Sequence, residues 1–284
     1  MEQKKDIITQ WSESAPYWEK HRTVVREMFA PVSDALIEDA RIAKGQTVLD
    51  VAMGPGEPAL SIAEVVGRDG KVVGTDAVAE MVEAAWREAE RRGLQNASFE
   101  AAVGEKLPFA DNSFDAAVSR FGVMFFSSPV GGVREILRVL KPGGRLALAV
   151  WHFAERNPFF TAVTSVVDRY VPPAPPEPDA PDAFRFANPG ALLEVAVGAG
   201  VKAASERLLK FPIRAKASPE EFWTLRSELS ESMRSKLARL SEAKLAELQA
   251  EVVQSIAAYA LGEWIRFPAE VLIISGEKQQ NGTV

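Results

Sequence analysis

The clearest chemistry in the chain lies in a glycine turn bracketed by acids. Val48-Leu-Asp-Val-Ala-Met-Gly-Pro-Gly-Glu-Pro58 runs from a strand-like stretch into a helical one. Glycine has no side chain, so a ligand can approach the backbone N–H groups of such a turn closely. Gly54, Gly56 and Ala59 satisfy G-x-G-x-x-A, the spacing used by dinucleotide sites. Asp76 stands 20 residues beyond Gly56, where a carboxylate accepts hydrogen bonds from ribose hydroxyls. The pairing implies an adenosine-containing cofactor, and charge separates the candidates. A dinucleotide would set an anionic pyrophosphate between Asp50 and Glu57, which is repulsive. S-Adenosylmethionine carries a sulfonium and an ammonium, so the acidic turn suits it. The competing reading is that Asp50 and Glu57 face solvent or cap the helix starting at Pro58.

Such a turn needs a parallel sheet to hold it, and the surrounding pattern supplies one. Short β-branched runs at Thr47–Ala52, Lys71–Thr75, Ala97–Ala102, Phe114–Ser119 and Arg145–Trp151 alternate with helical stretches at 58–66, 78–92 and 130–140. Gly93 is placed to end the second helix, and Lys141-Pro-Gly-Gly144 to end the third. The expected fold is α/β, a doubly wound, mostly parallel, Rossmann-like sheet. After Trp151 the pattern changes. Prolines at 172, 173, 175, 176, 178 and 181 predict a stiff, extended loop. Two more strands are expected at 203–214 and 267–275. Between them Ser218-Pro-Glu-Glu221 reads as a capping box, and Leu245, Leu248, Val252 and Ile256 share one helical face.

These features predict a single domain over residues 1–284. Its parts are an N-terminal helical lid at 1–45, a cofactor-binding core at 46–151, and a Pro-rich insertion with a helix at 152–202. Final strands follow at 203–276, with cover helices at 216–262, and then a polar tail at 277–284. A hydrophobic content of 47% and charged content of 25% are ordinary for a soluble globular chain. The net charge of −6 argues against nucleic acid as a partner, and no stretch reaches membrane-spanning length. The first residues lack an apolar run of signal-peptide type, so a cytoplasmic location is expected. With no cysteine, thiol nucleophiles and thiolate metal sites are excluded, and no metal site is suggested by the spacing of the acids.

The motifs resemble those of class I S-adenosylmethionine-dependent methyltransferases. The first motif of that family reads acidic-x-G-x-G-x-G. Counted in steps of two from Asp50, its three glycine places are Ala52, Gly54 and Gly56, so two match and Ala52 is a substitution, with the rigid Pro58 at the next step. The resemblance continues through Val73-Gly-Thr-Asp-Ala-Val-Ala-Glu-Met81. It implies Asp76 as the ribose acid with Ala77 beside it, and Met81 as the apolar residue on adenine. Gly104-Glu-Lys-Leu-Pro-Phe-Ala-Asp-Asn-Ser-Phe-Asp115 and Glu135-Ile-Leu-Arg-Val-Leu-Lys-Pro-Gly-Gly-Arg145 resemble the subgroup of ubiquinone/menaquinone-biosynthesis and natural-product methyltransferases. One place departs. The acid that reads the adenine amino group in that subgroup aligns with Val103, leaving backbone near Val103 and Gly104, or Glu105, to do so. Glu105 reads equally as a solvated loop acid.

By resemblance, Ser119-Arg-Phe-Gly122 flanks the sulfonium and the substrate, with Ser119 and Phe121 at the cofactor. Arg120 either pairs with an acidic substrate group or makes a structural salt bridge. Phe121, Phe125 and Phe126 form an apolar wall or pack in the core. His152, directly after the fifth strand, is the candidate general base, against a plain hydrogen-bonding role. Tyr17 and Trp18 belong to the aromatic N-terminal segment, read either as a lid over the cofactor or as a docked helix. The expectation is methyl transfer to oxygen, carbon or nitrogen of a small acceptor (a quinol, phenol or natural product), with S-adenosylhomocysteine as product. Asn-Pro-Pro-Tyr, the motif of amino-methylating nucleic-acid enzymes, is absent, as are the cysteines that arsenite methylation relies on. The alternatives are an NAD(P)-dependent Rossmann oxidoreductase and a non-catalytic protein that holds the cofactor.

Overall fold

The computed structural model describes residues 6–173, 175 and 179–280. Its strands are β1 (Thr47–Val51), β2 (Lys71–Asp76), β3 (Ala97–Ala101), β4 (Phe114–Arg120) and β5 (Leu140–Trp151), then β6 (Lys202–Lys216), β7 (Ala260–Leu261) and β8 (Trp264–Glu277). The helices are α1 (Ile7–Lys20), α2 (Arg22–Asp39), α3 (Ala59–Val66), α4 (Ala79–Arg92) and α5 (Pro129–Val139). They continue with α6 (Pro158–Tyr170), α7 (Ala191–Ala199), α8 (Pro219–Leu229), α9 (Glu231–Leu237) and α10 (Glu242–Ala257). The sheet order is β3-β2-β1-β4-β5-β8-β6, with β7 beside β8. Strands β3 through β5 pair in parallel, and β8 runs antiparallel to β5.

The chain divides into two compact units. One comprises the described parts of 30–152, 181–209 and 271–284. It holds the parallel strands, and its middle is buried on both faces: Val48, Leu49, Val72, Ala117 and Val118 are all fully buried. A strand covered on both sides reads as a continuous apolar run, which is what made these strands visible in sequence. The other unit comprises the described parts of 1–29, 153–180 and 210–270. It is mainly helical, and Phe159 is the hub of edge-on contacts to Phe29, Phe160, Phe222 and Phe267. The divisions between the two units come inside α2, β6 and β8 and at residues 152 and 180.

Local chemistry places the ends of the elements. Gly93 closes α4 with φ +67, a left-handed conformation that costs glycine nothing. At Ser218 the side chain accepts from Glu221 N–H while the Glu221 carboxylate accepts from Ser218 N–H, so α8 begins on the predicted capping box. Leu248, Val252 and Ile256 of α10 are fully buried.

Two expectations need correcting. The third helix ends at Val139, just before Lys141-Pro-Gly-Gly144 as expected, but that segment is taken into β5, which starts at Leu140 rather than Arg145. Leu140 pairs with Phe114, Gly143 N–H donates to the Lys278 carbonyl, and Lys278 N–H donates to that of Gly144. Lys278 likewise is no part of a loose polar tail, because its ammonium donates to Asn112 Oδ1 and to the carbonyls of Arg138 and Leu140. The rest of the expected tail, 281–284, and residues 174 and 176–178 of the proline-rich stretch lie outside the described residues.

Candidate cofactor site at the carboxyl ends of the central strands

The turn after β1 is built around backbone that only small residues tolerate. Ala52, Gly54 and Gly56 take φ of +59, +59 and +117. A Cβ on Gly56 would lie 2.6 Å from Leu60 Cδ1, so this glycine is needed where α3 packs close. A Cβ on Gly54 would meet no atom within 4 Å, which leaves the backbone there open to a ligand. Ala52 holds a left-handed conformation despite its Cβ, a strained state of the kind found at functional sites. Phe121, at the end of β4, is strained in the same way with φ +63, and its ring stacks on Trp151 at 4.3 Å. Gly122 joins the two strained positions, since a Cβ on it would lie 2.5 Å from that of Ala52.

Asp76, at the end of β2, ties the turn down. Its Oδ2 accepts from Gly54 N–H at 2.9 Å and its Oδ1 from Val78 N–H at 3.0 Å. Each oxygen keeps a further lone pair for ribose hydroxyls. Burial pushes the carboxyl up to about 6, against the pull of the backbone N–H donors. Asp50, in the middle of the sheet, is fully buried. Its Oδ2 accepts from Ala59 N–H at 2.8 Å, at the start of α3, while its Oδ1 has no partner among the described residues. Burial holds Asp50 well above the usual carboxylate range, partly opposed by the charge of Arg120. Capping and ligand binding are therefore not exclusive, since one oxygen serves the helix and the other remains.

Strand register arranges the neighbours. Asp50 pairs with Gly74 and Val118, so Arg120, two residues beyond Val118, projects from the same sheet face. Arg120 donates to Ser33 Oγ at 2.8 Å and to the Glu57 carbonyl at 3.1 Å, bracing the turn from β4. Thr75 and Ser119 fall on the opposite face. Their hydroxyls are fully buried and, like Asp50 Oδ1, lack partners among the described residues. Three polar atoms without partners thus sit at the carboxyl ends of β1, β2 and β4, where open α/β sheets take ligands. Sequence reasoning passed over Thr75, although a hydroxyl directly after Val72-Val73-Gly74 and before Asp76 was a readable signal. It also passed over Ser33 and Arg92, whose partners lie far away in sequence.

Glu57 is a correction. The sequence reading counted it among acids available to a cationic ligand, but its carboxylate is engaged by Arg92 at 2.7 Å and by the Ser61 hydroxyl at 2.7 Å. Arg92 also pairs with buried Glu88 at 2.8 Å, so Glu57 is part of a brace between α3 and α4.

The remaining candidates divide by surroundings. Met81 is buried in the first turn of α4, and Ala77 is exposed beside Asp76. Val103 is 40% exposed, and Gly104 packs so closely that a Cβ would lie 2.3 Å from the Phe126 ring. That ring is core, not wall. Glu105 is neither simply solvated nor free, because it accepts from Ser128 N–H at 3.1 Å. His152 is buried and its Nδ1 lies 2.8 Å from the Ala187 carbonyl. A carbonyl only accepts, so Nδ1 carries the proton and the basic lone pair of the neutral ring is on Nε2. In the helical unit, Trp18 donates its indole N–H to the Leu229 carbonyl at 3.0 Å, and the Arg234 guanidinium lies 4.5 Å from the Tyr17 ring. Both aromatics have packing partners within that unit.

These residues fit an adenosyl sulfonium ligand on three counts: the carboxylate at the end of β2, the uncovered backbone at Gly54, and the half-used buried acid Asp50. A cation near Asp50 would offset the cost of ionising it in a dry site.

Comparison with known proteins bears on the same segment. A family model described as "Methyltransferase domain" matches residues 49–148. The uncharacterized methyltransferase YcgJ of Bacillus subtilis is 35% identical over 139 residues, which cover 49% of this chain and 53% of that protein. Aklanonic acid methyltransferase DauC of a Streptomyces species is 33% identical over 168 residues, covering 59% of this chain and 68% of its own length. The chain spans about half the length of most of the curated relatives it matches. The crystal structure of YcgJ is similar in fold, with a TM-score of 0.56 at 22% identity, over 88% of this chain and 98% of that one.

Proposed function

The chain belongs to the class I S-adenosylmethionine-dependent methyltransferases, and we propose that it transfers a methyl group to a small organic acceptor. The observation that carries the reading is the Asp76 carboxylate clamped to Gly54 N–H beside the half-used Asp50. A nicotinamide site would place pyrophosphate against Asp76 and the buried Asp50, and the family assignment does not favour it. In this reading Asp76 accepts the ribose hydroxyls, Ala77 and Met81 border the base, and the backbone of Val103 and Gly104 reads the adenine edge. Asp50, Ala52, Gly54, Gly56 and Ser119 enclose the amino-acid end. Bound S-adenosylmethionine supplies an electrophilic methyl group on a sulfonium.

In-line displacement needs alignment and a dry site more than acid or base groups. An oxygen, nitrogen or carbon acid must still lose a proton as it gains the methyl group. Nε2 of His152, basic because Nδ1 donates to the Ala187 carbonyl, receives that proton. Arg120 is assigned to holding the turn rather than to the acceptor, because Ser33 and the Glu57 carbonyl already engage it. The acceptor class that the motif resemblance implies is a natural product, quinol or phenol, handled in the cytoplasm.

The test combines calorimetry with a transfer screen. S-Adenosylhomocysteine should bind and NAD(P) should not, and radiolabelled methyl should pass to at least one member of a set of quinols, phenols, aromatic acids and amines. NAD(P) binding without S-adenosylhomocysteine binding would sink the reading.

A further inference from the structure

The helical unit contains a buried cation with no counterion among the described residues. Arg226 of α8 is 9% exposed, and its Nε has no hydrogen-bond partner there. Among the described residues, no carboxylate or carbonyl is paired with the guanidinium. Its contacts are with rings: it lies 4.1 Å from the centroid of Phe159 and 5.2 Å from that of Phe160. Phe159 in turn meets Phe222 and Phe267 edge-on, so the surroundings are apolar. On α8, Phe222, Arg226 and Leu229 follow the i, i+4, i+7 spacing of one face, which puts a charge where the helix presents core residues.

Packing does not account for this arrangement. Contact with aromatic faces returns only part of the cost of stripping water from a guanidinium, and an unpaired buried charge destabilises a fold. Burial alone lowers the Arg226 pKa to about 10, with no partner acting against it. The planar fork of guanidinium donors matches a carboxylate, which would supply the missing charge. The apolar rings also select what carries that anion. A free phosphate would lose its hydration with no apolar body of its own to bury, whereas an organic acid brings one.

We propose that Arg226 receives the carboxylate of an apolar organic acid, with the rings of Phe159 and Phe160 beside the guanidinium forming part of the site. This goes beyond the methyl-transfer reading and does not depend on it.

The test uses the full chain, its Arg226→Met and Arg226→Lys variants, and three probes: 2-naphthoate, its neutral counterpart 2-naphthamide, and inorganic phosphate. Without ligand, Arg226→Met should melt about 2–4 °C higher than the parent, because methionine fills the place without the charge. 2-Naphthoate should raise the melting temperature of the parent, 2-naphthamide and phosphate much less, and Arg226→Lys should keep part of the response. The Met variant should lose the preference for the acid. S-Adenosylhomocysteine affinity, measured in parallel, should be the same for parent and Met variant. Three results would each overturn the proposal: a Met variant that melts lower than the parent, 2-naphthoate stabilising the parent no more than the variant, or loss of S-adenosylhomocysteine affinity in the variant. The last assigns the guanidinium to the cofactor's own carboxylate. Failure of the parent to bind S-adenosylhomocysteine would count against methyl transfer and leave the anion result standing by itself.

Discussion

Asp76 has two tasks, holding Gly54 and receiving the ribose, and both require it ionised. Asp76→Ala should therefore weaken S-adenosylhomocysteine binding by an order of magnitude or more, since hydrogen bonds to a charged group contribute roughly 1.5–3 kcal/mol. With its carboxyl pushed up to about 6, protonation removes the acceptor as pH falls through that value. Calorimetric titrations at pH 5, 6 and 7.5 should show affinity declining toward the acid side. Unchanged affinity across that range, or in the Ala variant, would remove Asp76 from the site. Ala52 offers a second test. A left-handed alanine costs about 1–2 kcal/mol relative to glycine, so Ala52→Gly should stabilise the chain by about 1 kcal/mol in urea unfolding. The glycine spacing and Asp76 were legible in sequence. That Glu57 is consumed by Arg92 was not, because the two are 35 residues apart and meet only when α3 and α4 pack.

Among the elements, the α3–α4 brace is the part most exposed to a single change. Arg92 pairs with Glu57 and Glu88, all nearly buried, so Arg92→Met leaves Glu57 without its cation while Glu88 keeps Arg91. Breaking a buried pair from one side costs about 3–5 kcal/mol, and the variant should show a lower urea midpoint together with weaker S-adenosylhomocysteine binding. Loss of stability with cofactor affinity fully kept would show that the brace does not reach the turn. Helix caps and buried parallel strands were readable because propensity and burial pattern coincide over short spans: Gly93, the Ser218 capping box and the Leu248–Ile256 face are local facts. The end of the third helix at Lys141–Gly144 was legible, but the start of β5 was not, for the opposite reason. Pro and Gly there do signal a break, but hydrogen bonds to Lys278, more than a hundred residues away, draw the segment into β5.

At the scale of the whole chain, the buried acids set the response to pH. Asp76 binds its proton more tightly when folded, near 6, than its ordinary value of 3.8, and Asp50 shifts in the same direction. For such a group stability rises as pH falls through the folded value toward the ordinary one, and above it the cost of ionisation stands in full. Glu135, held below the usual range by Arg138, loses its contribution only at lower pH. The ligand-free chain should therefore resist urea better at pH 5.5 than at pH 7.5, the reverse of the trend in cofactor affinity. The same or lower stability at pH 5.5 would mean that Asp50 and Asp76 are not the dry acids of this structure. The sequence alone determined the α/β class, the succession of strands and helices along the core, the glycine turn and the methyltransferase motifs, because each rests on spacing within some tens of residues. Only the tertiary structure decided which acids remain for a ligand, that the chain forms two units whose divisions cut through α2, β6 and β8, and that Arg226 is buried without a counterion among the described residues. Those outcomes depend on which distant groups meet and how much water they lose, and neither quantity is carried by residue type or spacing.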